Sequence, residues 1–100
     1  MTSKERAMLR SAAHHLEPII NVGKDSLTPE VTEAINEALE ARELIKIGVL
    51  KNCMDDPKEI AQAVAERTRS QVVQVMGKKI TLYRYNSKKK HKDDEIVVKN

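Results

Sequence analysis

Tryptophan and phenylalanine are missing from this 100-residue chain, and tyrosine occurs only twice. The core must therefore be built from Ile, Val, Leu, Ala and Met, and a site that grips a flat cofactor between several rings has little to work with. Cysteine occurs once, at Cys53, which rules out an internal disulfide and fits a reducing compartment, so a cytoplasmic protein is expected. No stretch approaches the roughly 20 apolar residues of a membrane span, and Met1 to Arg10 lacks the apolar run of a signal peptide. The length supports one domain with a single modest core.

What is present is charge, and it is segregated. The net charge is only +3, yet residues Gly77 to Lys92 hold seven of the 18 Lys and Arg and no acid. The remainder of the chain is acidic on balance, and this separation favours a polyanionic partner, while the run taken alone reads equally well as a solvated basic tail.

The local patterns give an order of elements. Thr2 and Glu5 can form a capping box, and Leu9, Ala12, Ala13 and Leu16 make a helical stripe, which predicts a first helix over Ser3 to His15. Pro18 to Val22 reads as a short buried strand. Thr28 as N-cap and Pro29 at the first helical position open a second helix to about Ala41. Its inner face is Val31, Ala34, Ile35, Ala38 and Leu39, and Glu30, Glu33, Glu37 and Glu40 line the outer one. Leu44 to Lys51 alternates as a strand, with Lys46 on its less buried face. Asp56, Pro57 and Glu59 start a third helix running to about Thr68. Gln71 to Met76 and Ile80 to Tyr85 form a hairpin around Gly77 to Lys79. Met8, Met54 and Met76 read as core or boundary fillers. The α-β-α-β-α-β-β order predicts an α/β sandwich with a four-stranded mixed sheet over residues 1–86, and residues 87–100 read as a flexible charged tail.

The turn after the first strand, Gly23-Lys24-Asp25-Ser26, is the leading binding candidate. It opens directly onto a helix start, where free backbone N–H groups favour an anion. Asp25 opposes a phosphate unless it points outward. Lys78 and Lys79 at the hairpin tip and Arg84 in the last strand could track a phosphate backbone, although Arg84 could equally pair with a helix glutamate. Tyr83 and Tyr85 fit better against a helix than against a base. Catalytic signatures are lacking: His14 and His15 point about 100° apart on a helix, Cys53 has no C-x-x-C partner, and no phosphate-loop pattern occurs. No enzyme activity, metal or cofactor is expected.

Leu9-Arg10, Pro18 to Leu27, Glu43-Leu44-Ile45-Lys46, and Gly77 through Leu82-Tyr83-Arg84 stand in the order and spacing of a known family. Over Ser3 to Tyr85 the chain resembles the YhbY-type CRM-domain proteins, small bacterial RNA-binding proteins. The resemblance implies a fold like the carboxy-terminal domain of bacterial translation initiation factor three, and association with ribosomal RNA in precursors of the large subunit. It also implies that Gly23 to Ser26 corresponds to a G-x-x-G loop comparable with the backbone-clamping loop of KH domains. Ser26 departs from that pattern, at a cost of roughly 1–2 kcal/mol if the position is left-handed. The expected RNA-binding set is Gly23, Lys24, Asp25, Ser26, Arg6, Arg10, Lys46, Lys78, Lys79 and Arg84. The rival expectation is a protein-interaction module that binds a ribosomal protein through the acidic helix face or a sheet edge.

Overall fold

Each helix starts where the sequence supplies a cap. Thr2 accepts from the Glu5 backbone at 3.0 Å and Glu5 returns a bond to the Thr2 N–H at 2.7 Å, which closes the capping box of α1, Ser3–Ala13. Thr28 accepts from the Val31 N–H at 3.1 Å ahead of α2, Pro29–Arg42, and Asp56 accepts from Lys58 at 2.8 Å ahead of α3, Pro57–Thr68. The strands are β1 (Ile20–Val22), β2 (Leu44–Val49), β3 (Gln71–Met76) and β4 (Lys79–Tyr83) in a computed structural model that describes residues 1–93 and 95–99.

The strand order is β1-β2-β4-β3. β1 and β2 are parallel, and β4 runs antiparallel to both of its neighbours, so β3 points the same way as β1 and β2. This is the expected mixed sheet. The β3–β4 turn is two residues long, with Met76 paired to Lys79 and Gly77 at φ +58°, the backbone a tight hairpin asks of its first central residue. The pairing shifts between Val72 and Gln74, which leaves Val73 as a bulge. A Cβ on Gly48 would lie 2.6 Å from the side-chain oxygen of Asn21 on β1, the far end of an exposed side chain that can swing aside.

Alternation along the strands makes two cores. Ile45, Ile47, Val49, Ile80 and Leu82 face α2 and α3 and enclose Ile35, Leu39, Ile60 and Val64. The opposite sheet face carries α1 and a smaller cluster of Leu9, Val73, Tyr83 and Val98. Ala34 is exposed rather than part of the inner face of α2. α1 ends at Ala13, so His14 and His15 lie beyond it and are exposed.

Part of the segment after Asn86 packs on the second sheet face. Val98 is only 1% exposed and its N–H donates to the Tyr83 hydroxyl at 3.0 Å, while Ile96 packs on the same cluster. The Tyr85 ring stacks on His91 at 5.3 Å between centroids. The physical reason is the apolar run Ile96-Val97-Val98, which gains more from the second sheet face than its charged surroundings lose. Positions 94 and 100 of that predicted tail lie outside the described residues.

Candidate nucleic-acid interface

Parallel strands leave the sheet at one end, and that end is where cations gather. Val22 and Val49 pair in register, and the Leu50 N–H returns to the Val22 carbonyl at 2.9 Å. The Gly23–Ser26 loop and the loop from Leu50 to Asp56 therefore leave the sheet side by side, and α2 and α3 both begin from them. The hairpin tip joins them, since the Val49 N–H donates to the Lys78 carbonyl at 2.7 Å. Lys24, Lys51, Lys78 and Lys79 are all exposed there. A Cβ on Gly23 would lie 3.6 Å from both the Leu50 and Asn52 side chains, which shows how closely the two loops pack. The helix starts add partial positive charge in the same direction.

The loop itself is held by backbone bonds. The Ser26 N–H donates to the Gly23 carbonyl at 3.0 Å and the Thr28 N–H to the Ser26 carbonyl at 3.1 Å. Ser26 has φ +57°, so the departure from glycine falls on a position that is left-handed. Asp25 points to a groove of about 290 Å³ lined also by Asp55, Glu59 and Arg67. Asp25 therefore stands beside other carboxylates, with Arg67 in the same groove, at the edge of the lysine-bearing end.

Two arginines of the expected set are engaged elsewhere. The Arg84 guanidinium donates to the Asn36 side chain at 2.6 Å, the Asn36 carbonyl at 3.1 Å, the Thr68 carbonyl at 2.8 Å and Glu40 at 3.0 Å. Its side chain is only 16% exposed, so it clamps α2 to the end of α3 and does not offer a free cation. Arg6 donates to the carbonyls of Val72 and Val73 and satisfies the bulge of β3. Both lie at the opposite end of the sheet from Lys24, since β4 runs from Lys79 at the tip to Tyr83. Arg10 is exposed on α1, and Lys46 is half-buried on the sheet face that carries α1, beside Thr81. Neither belongs to the lysine cluster at the strand ends.

The pattern reading missed Lys51, Leu50, Asn52 and Met54, because a loop that simply links a strand to a helix carries no motif. It also misjudged the methionines. Met54 is 92% exposed in the loop after β2, Met76 is 65% exposed at the last position of the edge strand β3, and Met8 is exposed on α1. Tyr83 is buried, and burial pushes its phenol above the usual tyrosine range, with the charge of Glu43 adding to the effect. Glu43 is the other unforeseen residue. It ends α2 at φ +65°, is buried, and its carboxylate accepts from the Asn86 N–H at 2.6 Å and contacts His91 Nε2 at 2.7 Å. Glu43, His91 and Glu95 bring ligand atoms within 4.8 Å of one another, the closest approach to a metal-binding set among the described residues. Lys89 also stands 3.8 Å from Glu43, so the carboxylate already has cationic and hydrogen-bonding partners.

Fold and site together define a small three-layer α/β domain with one lysine-ringed end. Residues 1–84 match the family model of the CRS1 / YhbY (CRM) domain, and the chain belongs to that family. It is 47% identical over 90 residues to the probable RNA-binding protein YqeI of Bacillus subtilis, covering 90% of this chain and 94% of that one. A probable RNA-binding protein of Methanocaldococcus jannaschii is 37% identical over 110 residues, covering 98% and 81%. The solution structure of a Staphylococcus aureus protein, described as a candidate RNA binder, is 40% identical and superposes with a TM-score of 0.75 over 98% of this chain and 97% of that one. No helix among the described residues is long and apolar enough to cross a membrane.

Proposed function

We propose that this protein binds RNA through the lysine-ringed end of its sheet, as a non-enzymatic factor that docks on ribosomal RNA in precursors of the large subunit. The observation that carries the reading is the meeting of three loops, from β1, β2 and the β3–β4 turn, with Lys24, Lys51, Lys78 and Lys79 exposed around two helix starts. The names of the relatives in Bacillus subtilis and Methanocaldococcus jannaschii support the polyanion being RNA. A cytoplasmic location follows from that partner and from the lone cysteine.

Contacts of this kind hold phosphates and position the protein, so selectivity comes from the shape of the RNA. Backbone amides near Gly23 would share a phosphate with Lys24, and the other lysines would hold its neighbours. If four phosphates are neutralised, log affinity falls against log salt with a slope of roughly −2.8 to −3.6. The test is a salt series on ribosomal RNA fragments with the intact chain, Lys24→Ala, Lys78→Ala and Arg10→Ala. The first two should each weaken binding and reduce the slope by about one phosphate's worth, with Arg10→Ala closer to wild type. A slope near zero would remove the proposal in favour of a protein partner.

A further inference from the structure

Among the described residues five large apolar side chains are exposed, and three of them, Leu50, Met54 and Met76, lie at the same end of the sheet as the lysines. Leu50 lies against Gly23 at the 3.6 Å given above, Met54 follows it in the same loop, and Met76 flanks the hairpin tip in register with Lys79. Apolar side chains bring nothing to a phosphate. We infer that this patch receives the faces of unpaired bases, so the protein selects RNA with unstacked nucleotides over a continuous duplex. The inference rests on the RNA-binding reading and specifies which RNA it requires.

Three considerations lead there. The rings that usually stack on bases are already in use, since Tyr83 is buried against Val98 and Tyr85 is stacked on His91. What the interface offers instead is methionine, whose long polarizable thioether makes favourable contacts with aromatic rings and adapts to different shapes. In a duplex the base faces are covered by stacking, and only looped or single-stranded nucleotides can bring them to a protein surface. Lys24, Lys51, Lys78 and Lys79 stand at the same end of the sheet as these side chains, and their charge favours nucleic acid over an apolar peptide. Asp25, Asp55 and Glu59, with Arg67 among them, line the α2–α3 side, and Asp56 caps α3.

The experiment is an anisotropy titration at one salt concentration with two labelled RNAs of equal phosphate number, a stem with a large unpaired loop and a fully paired duplex. The proteins are wild type, a Met54→Ser/Met76→Ser variant and a Lys24→Ala/Lys78→Ala variant. All the substituted side chains are exposed, and thermal melts check that folding is intact. The expected result is that wild type prefers the looped RNA. The methionine variant should lose about three- to tenfold on the looped RNA only, less than loss of an aromatic platform would cost. Equal losses on both RNAs, no loss on either, or no preference in wild type would overturn the inference while leaving the RNA-binding reading in place. If the lysine variant also binds both RNAs unchanged, the lysine end is not where RNA is held, and both the proposed site and the inference fail; if wild type binds neither RNA, the RNA-binding reading itself fails.

Discussion

Ser26→Gly should make this protein more stable, which is unusual for a substitution that only removes atoms. Ser26 sits at φ +57° in the loop between β1 and α2, where its Cβ crowds the backbone. Release of that strain is worth roughly 1–2 kcal/mol. Glycine gives part of this back through a freer unfolded chain, by about 0.4–1 kcal/mol. The two ranges leave a net gain between about 0 and 1.6 kcal/mol, centred near 0.8, or an increase of roughly 3–6 °C in Tm at that centre for a domain of this size. The backbone bonds of the loop, from the Ser26 N–H to Gly23 and from Thr28 to Ser26, survive the change. Ser26→Val should go the other way, since a β-branched residue tolerates positive φ least. Calorimetric melts of the three proteins, with the denaturant midpoint as a second probe, decide the matter. A Ser26→Gly variant that melts at or below the wild-type temperature would refute the strain argument.

Other expectations follow from the buried contacts. Arg84→Met removes four donors from the Asn36, Thr68 and Glu40 acceptors and should lower stability by roughly 2–3 kcal/mol in urea titrations, with the RNA salt slope unchanged. A drop in slope with stability intact would return Arg84 to the interface. Val98→Ala deletes two buried carbons and should cost about 1.6 kcal/mol plus a cavity contribution, read as a lower Tm. An unchanged Tm would mean the C-terminal segment is not docked. Because folding raises the Tyr83 pKa, the folded state favours the neutral phenol. Its contribution is whole below the ordinary tyrosine value of about 10 and is lost as pH climbs beyond it. Denaturant midpoints should therefore fall less steeply at alkaline pH in Tyr83→Phe than in wild type, and parallel curves would refute the assignment.

The elements were legible because their signals are local. Thr2, Thr28 and Asp56 are caps that work through neighbours two or three residues away, and Gly77 needs only its own φ. The mixed character of the sheet followed from the crossover pattern and the hairpin, whereas the order β1-β2-β4-β3, with β4 inserted between β2 and β3, carried no sequence signal. What could not be read depends on distant pairs. Arg84 meets Asn36 across 48 residues of chain and Arg6 meets Val72 across 66, and no periodicity records either contact. Tail docking was hidden for a related reason, since Ile96 and Val98 are too few to mark an element and matter only once Leu9, Val73 and Tyr83 form a surface for them. The methionines were misjudged because residue type suggested burial, whereas Met54 falls in a loop and Met76 at the end of an edge strand.

The division of labour between the two kinds of cation explains why net charge alone said so little. Arg6 and Arg84 are used where backbone carbonyls must be satisfied in partly buried places, a task suited to a planar guanidinium with several fixed donors. Lys24, Lys51, Lys78 and Lys79 stand in solvent at the strand ends, where a hydrated point charge on a flexible stem can follow a phosphate backbone without a fixed geometry. On this reasoning, Arg84→Lys is damaging because it breaks a clamp, whereas Lys78→Arg leaves binding almost unchanged because only charge is needed there. The positive charge at the strand ends is thus carried by lysines, and Arg6 and Arg84 brace the sheet that presents them.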